Sequence, residues 1–208
     1  MNNFFFTITN HTMQINQSKS QELTNDVIEQ MQKVNKVVFW EPKRIRTFGM
    51  RSDTSARIYH FFNGNPIHFP DHLTELILPN SFNQPIHNTS KSFLPSSLEY
   101  INFGNSFNQT IDILPSNLKK ITFGNSFNRL VDNLPKTIKE IEFGNSFNQS
   151  VDNLPIGIEI ITFGLSFTKT LDNLPITVKK IYICDNFKLS LDNVVAEVFK
   201  FKRSFRLR

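Results

Sequence analysis

The sequence predicts a mainly β fold: a right-handed solenoid with one parallel strand per 20-residue coil. Three observations predict it. The run F-G-N-S-F-N at 103–108 returns at 123–128 and 143–148, and in weaker form at 163–168 and 183–188. Leu-Pro pairs at Leu94-Pro95, Leu114-Pro115, Leu134-Pro135, Leu154-Pro155 and Leu174-Pro175 keep the same 20-residue step. Phenylalanine supplies 22 residues against 3 Tyr and 1 Trp, the mark of one slot filled repeatedly.

The register continues upstream through Phe82-Asn83 and Phe62-Asn63 once two insertions are allowed, one within Asn88–Phe93 and one between Met50 and Phe62. Pro42, Ile45, Phe48 and Met50 then open the first of seven units, which run from Pro42 to Val194. Residues 1–41 are expected to form an N-terminal cap. It contains one short amphipathic helix with Val27, Ile28, Met31 and Val34 on one face and Asn25 as N-cap. Downstream, Val198 and Phe201 keep the 20-residue register, but Arg203 falls where an apolar residue belongs. Residues 195–208 are therefore read as a basic cap or edge strand whose charges discourage further pairing.

Within a unit, Leu98, Ile101 and Phe103 face inward, so the six-residue strand Leu98–Phe103 stacks on its copies at about 4.8 Å. Some ten residues remain for the return, too few for a flanking helix, so extended or 3₁₀ backbone is expected on the outer face. Stacking turns the repeat into ladders. Phe62, Phe82, Phe107, Phe127, Phe147, Phe167 and Phe187 form a buried aromatic spine. Asn63, Asn83, Asn108, Asn128 and Asn148, then Thr168 and Lys188, form an adjoining column of buried amides that bond the turns. Its failure at Thr168 and Lys188 predicts looser coils toward the C-terminus. Asp112, Asp132, Asp152, Asp172 and Asp192 make an acidic column. The simpler account of it is an Asx turn before each Leu-Pro, and the sharper one is calcium between coils.

The remaining strand positions point outward and mix signs, with Lys120 beside Glu140 and Lys119 beside Glu99. Most of this face reads as solvated charge pairs. Tyr100, Glu142, Ile160 and Tyr182 are the candidate partner-binding residues, because aromatic and apolar groups exposed among charges suit an interface.

Net charge is +5, much of it contributed by Lys200, Lys202, Arg203, Arg206 and Arg208. The alternating basic tail 198–208 offers a weak nucleic-acid or anionic-surface patch as an alternative to the edge strand. A single cysteine, Cys184, precludes an internal disulfide, and no window approaches a membrane span. With no signal-peptide pattern at the start, an intracellular, cytoplasmic monomer is expected. His11, His60, His68, His72 and His87 lie toward the N-terminus, but Pro70 breaks the His68/His72 spacing as a helical metal pair. Cys184 stands in the glycine column with no base in evidence. No phosphate loop, zinc spacing or acid pair appears, so neither catalysis nor a cofactor or metal is expected.

The L-x-x-L-x-L strand resembles leucine-rich repeats, and Phe82-Asn83-Gln84-Pro85-Ile86 reproduces the hallmark of the FNIP repeat, a leucine-rich-repeat-like unit of slime moulds and giant amoeba viruses. Weaker copies such as Phe107-Asn108-Gln109-Thr110-Ile111 follow, and the resemblance covers about Pro42 to Val194. The second proline of the hallmark occurs only at Pro85, and the units are slightly shorter than is common in that family. The resemblance implies a leucine-rich-repeat-like solenoid and protein interaction. Since some family members carry an N-terminal F-box, it also raises an alternative in which residues 1–41 link a target to a ubiquitin ligase. That segment is short for an F-box and lacks its usual Leu-Pro opening.

Overall fold

A computed structural model of the chain describes residues 6–9, 12–16, 29–40, 69 and 71–202. Among the described residues ten strands form one sheet in chain order: β1 Phe6–Thr9, β2 Thr12–Asn16, β3 Lys36–Trp40, β4 Glu75–Ile77, β5 Tyr100–Asn102, β6 Lys120–Thr122, β7 Glu140–Glu142, β8 Ile160–Thr162, β9 Lys180–Cys184 and β10 Glu197–Phe201. β1 pairs antiparallel with β2, and every later neighbour is parallel. Consecutive parallel strands each separated by one circuit of chain make a β-solenoid of about seven turns.

The regular ladder is shorter than the six residues expected. β4 to β8 span three residues each, with a buried centre between two half-buried, outward residues. Leu98 is buried but belongs to a turn, its N–H bonded to the Pro95 carbonyl at 3.2 Å. The next two N–H groups, of Glu99 and Tyr100, both donate to the Thr74 carbonyl at 2.9 and 3.0 Å. Alternation therefore begins only at Tyr100. The same paired donation recurs at Lys119/Lys120 onto Glu99 and at Lys139/Glu140 onto Lys119. Each coil's polar backbone is thus satisfied by its neighbour, as a buried chain without helices requires. The return segments are turns closed by bonds between residues three apart, such as Phe147 N–H to Gly144 O and Leu154 N–H to Val151 O. This agrees with the extended or 3₁₀ outer face expected from the repeat length.

Two files of phenylalanine fill the interior. Phe82, Phe107, Phe127, Phe147, Phe167 and Phe187 stack ring on ring at 6.0–6.1 Å between centroids. A second file, Phe103, Phe123, Phe143 and Phe163, steps at 5.4–5.7 Å and lies 3.8–4.2 Å from the first. The interior rings Phe107, Phe123, Phe127, Phe143, Phe147 and Phe167 therefore each contact rings above, below and beside them. The strand positions alone did not reveal this second file. Leu73, Leu98, Leu118, Ile138, Ile158 and Val178 complete the core beside the strand centres Leu76, Ile101, Ile121, Ile141, Ile161 and Ile181.

Glycine fixes how closely the coils approach. A Cβ on Gly144 would lie 2.2 Å from the Gly124 carbonyl oxygen, and one on Gly164 equally close to that of Gly144. In the next coil the column holds Cys184, buried, and there the chain does not turn away. β9 continues as a strand through Cys184, opposite Phe201 of β10.

At the N-terminal end, the place beside β4 is held by Lys36–Trp40, with Val37 opposite Leu76. Met31, Val34 and Val37 are all buried, and residues 29–31 form a single helical turn. The expected capping region therefore contributes strands to the sheet as well as a helical turn. The strand expected at 45–50 lies outside the described residues, as do Asn25, Val27, Ile28, Phe62, Asn63, His11, His60, His68 and Arg203 to Arg208. At the other end the expected 20-residue register is corrected. Val198 stands opposite Ile181, not one full unit after Val178, so the last circuit is three residues shorter than a full unit.

Candidate interaction surface on the strand face

The outward residues of the sheet form two rows. The first runs Lys36, Glu75, Tyr100, Lys120, Glu140, Ile160, Lys180, Glu197. The second runs Ile77, Asn102, Thr122, Glu142, Thr162, Tyr182, Phe199. Rows arise because strand period two puts alternate residues on one face and the parallel register puts equal positions side by side.

Lysines neutralise most carboxylates here. Lys36 pairs with Glu75 at 2.5 Å, Lys120 with Glu140 at 2.7 Å, and Lys119 with Glu99 at 2.7 Å. Glu159 receives Lys179 at 2.6 Å and Lys139 at 3.4 Å. The two lysines hold its carboxyl below the usual glutamate value, chiefly through their hydrogen bonds. Such solvated pairs are worth about 0–1 kcal/mol each. Burial works against the Lys120 ammonium, but the Glu140 carboxylate keeps its pKa above the ordinary lysine value. The same ammonium lies 5.8 Å from the Tyr100 ring centroid, within reach of its π face.

Glu142 differs from these carboxylates. Among the described residues no basic group lies at ion-pair distance from it. Burial pushes its carboxyl above the usual value and the Glu140 charge adds to the shift, while Lys120 and a Thr122 hydrogen bond oppose it. Tyr182, two strands on in the same row, stacks on Phe199 at 5.0 Å. Phe199 is 37 % exposed. The four residues expected to receive a partner thus fall into both rows: Tyr100 and Ile160 in the first, Glu142 and Tyr182 in the second. Phe199 was missed because the 20-residue register misplaced the tail. The alternation of Val198, Phe199 and Lys200 was the signal that could have found it.

The polar columns lie away from this face. Asn83, Asn108, Asn128 and Asn148 each present a side-chain oxygen to the N–H of the equivalent residue one coil later, at 2.9–3.0 Å. These amides are half-buried or exposed, where buried ones were expected. The ladder reaches Thr168, which has no carbonyl to extend it. The acidic column is also explained by contacts between coils. Asp112, Asp132, Asp152 and Asp172 accept from the side chains of Asn133, Asn153, Asn173 and Asn193 at 3.1–3.3 Å. These bonds tie successive coils, where a local Asx turn or an ion had been the expectation. Among the described residues no three His, Cys, Asp or Glu side chains converge as metal ligands. His72 is engaged with the Val34 carbonyl at 2.9 Å. No helix among them is long and apolar enough to cross a membrane.

One parallel strand per circuit, an apolar spine and an open strand face define a leucine-rich-repeat-like solenoid. Its units match the FNIP repeat model over residues 62–106, 107–146 and 130–166, and the chain belongs to the FNIP repeat family. Among solved structures it is similar to CroV588, a giant-virus protein described as a novel circular LRR protein structure. That match has a TM-score of 0.58 at 21% identity, covering 98% of this chain and 35% of CroV588. The chain therefore spans about a third of the length of that relative in fold. No curated protein matches the sequence.

Proposed function

We propose that this chain is a protein-interaction scaffold, without catalysis, that receives its partner on the strand face. The observation that supports the reading is the set of partly exposed side chains Tyr100, Ile160, Tyr182 and Phe199 on a face where five lysine–glutamate pairs take up much of the charge. Repeat solenoids present such a face along their whole length, and aromatic groups among charges are the composition of an interface core. Their counterparts inside the solenoid explain the fold and carry no weight here.

The test is proximity labelling in the native cell with the wild-type chain and with Ile160→Lys combined with Tyr182→Ala. Both sites are outward, so the variant is expected to melt like the wild type. Loss of a defined set of labelled proteins supports the reading. An unchanged set, at unchanged expression, overturns it.

A further inference from the structure

We propose that the second row of the strand face recognises a basic extended segment of the partner, with Glu142 taking an arginine or lysine side chain and the Tyr182–Phe199 pair packing an apolar one. The proposal rests on the strand-face reading above and assigns the partner's chemistry.

Charge balance is the first ground. Glu75, Glu99, Glu140 and Glu159 each have a lysine within ion-pair distance, whereas Glu142 has a hydroxyl neighbour, Thr122, and none of those lysines. The nearest cation, Lys120, is already paired with Glu140, so a half-buried Glu142 carboxylate keeps a cost that an incoming cation removes, and charge-assisted hydrogen bonds are the stronger kind. Burial already disfavours the charge on Glu142, and the charge of Glu140 beside it does too. Both effects are relieved by a guanidinium or ammonium placed between row and solvent.

Geometry supplies the second ground. Glu142 and Tyr182 are separated by two strand steps, about 9–10 Å, which a peptide in the extended polyproline II form covers in about three residues, with the first and fourth side chains on one face. The pattern expected in the ligand is therefore basic-x-x-apolar, running across the strands. Its polarity follows from Lys180, which lies in the first row on the same strand as Tyr182 and has no carboxylate at ion-pair distance among the described residues. A second cation is disfavoured at that end, and an acidic ligand is disfavoured at the other by Glu142 and Glu140 together.

Binding a cation favours the ionised carboxylate, so affinity should fall as pH drops through the raised Glu142 value. The charged or titratable groups facing it are Glu140 on its own strand, Lys120 on β6, and Lys180 and Tyr182 on β9. β8 offers only Ile160 and Thr162.

The experiment pans a displayed library of random linear peptides against the immobilised full chain. Selected peptides are then titrated against wild type, Glu142→Gln, Tyr182→Ala and Ile160→Lys. The expected result is enrichment of Arg or Lys three residues from an aromatic or large aliphatic residue. Glu142→Gln should weaken these peptides about tenfold or more, the scale of a desolvated charge pair losing one partner. A melting temperature of Glu142→Gln at or above wild type excludes misfolding as the cause. If Tyr182→Ala or Ile160→Lys abolishes binding while Glu142→Gln stays within about twofold of wild type, the carboxylate assignment is wrong and the strand-face reading stands. If no selected peptide responds to any of the three substitutions, or none is selected, both are wrong.

Discussion

Truncating Phe147 to alanine tests whether the two phenylalanine files act as one body. Phe147 is fully buried and touches three rings: Phe143 at 3.8 Å, and Phe127 and Phe167 each at 6.1 Å. A core Phe→Ala change costs about 3–5 kcal/mol, and aromatic pairs add about 0.5–1.5 kcal/mol each, which places this position near 5 kcal/mol. Phe187, at the last full coil, is 6% exposed and among the described rings stacks on Phe167 alone. The same truncation there should cost about 3 kcal/mol, because fewer ring contacts are lost and the site can collapse toward the chain end. Equilibrium urea unfolding of both variants, read by far-UV circular dichroism, provides the comparison. Phe147→Ala should lower the midpoint by about 2 M for a slope of 2–3 kcal/mol/M, and Phe187→Ala by clearly less. Equal shifts, or a Phe147→Ala cost below about 2 kcal/mol, would refute the coupled spine and leave each ring an independent buried hydrophobe.

Three further outcomes are expected. Gly144→Ala places a Cβ 2.2 Å from the Gly124 carbonyl oxygen, so two coils must separate; a loss of about 3 kcal/mol in urea unfolding is expected. Asn128→Ala removes the oxygen that accepts the Asn148 N–H at 2.9 Å and should cost about 1 kcal/mol, whereas Asn128→Asp, which keeps an acceptor, should cost less in the same assay. The two perturbed carboxylates should respond oppositely to pH. Glu159 has a lowered folded-state value, so its contribution is present above the unfolded value and is lost as pH falls through the folded one. Glu142 has a raised value, so its charge destabilises the fold above that value and protonation removes the cost. Glu142→Gln should therefore stabilise at neutral pH and lose that advantage in acid, while Glu159→Gln should do the reverse, as followed by melting temperature across pH.

Much of this architecture was legible in the sequence because a stacked repeat converts spacing into neighbourhood. Once Phe107, Phe127 and Phe147 are equivalent, their contact follows, and so do the Lys120–Glu140 and Lys119–Glu99 pairs across strands. What stayed hidden lies between columns and not along them. Phe103 and Phe107 are four residues apart, and only the turn at Gly104 brings their rings to 4.2 Å. The Asp ladder was misread for the same reason. Asp112 meets Asn133, one coil and one residue away, a diagonal that column-by-column reading passes over. The ends were less legible still. Val34 and Val37 take the places of Leu73 and Leu76 although their segment lacks the Leu-Pro and Phe-Asn signals. Phe199 faces outward because the last circuit is shortened by three residues. Among the candidate partner-binding residues, Tyr100, Ile160 and Tyr182 were singled out by their chemistry against their position, and all three lie partly exposed on the outward strand face. The unbalanced state of Glu142 emerged only when each neighbouring carboxylate could be matched with its lysine.

From Phe107 onward the Asn and Phe ladders connect each coil to the next at 20-residue steps and the Asp–Asn bonds at 21, so the coil is a separable structural unit. Excision of residues 125–144 would rejoin Gly124 to Asn145, keep one residue of each kind in every ladder, and preserve the parity of the strand face. The length of the strand face is then set by the number of coils, and its chemistry by the outward positions that the ladders do not use.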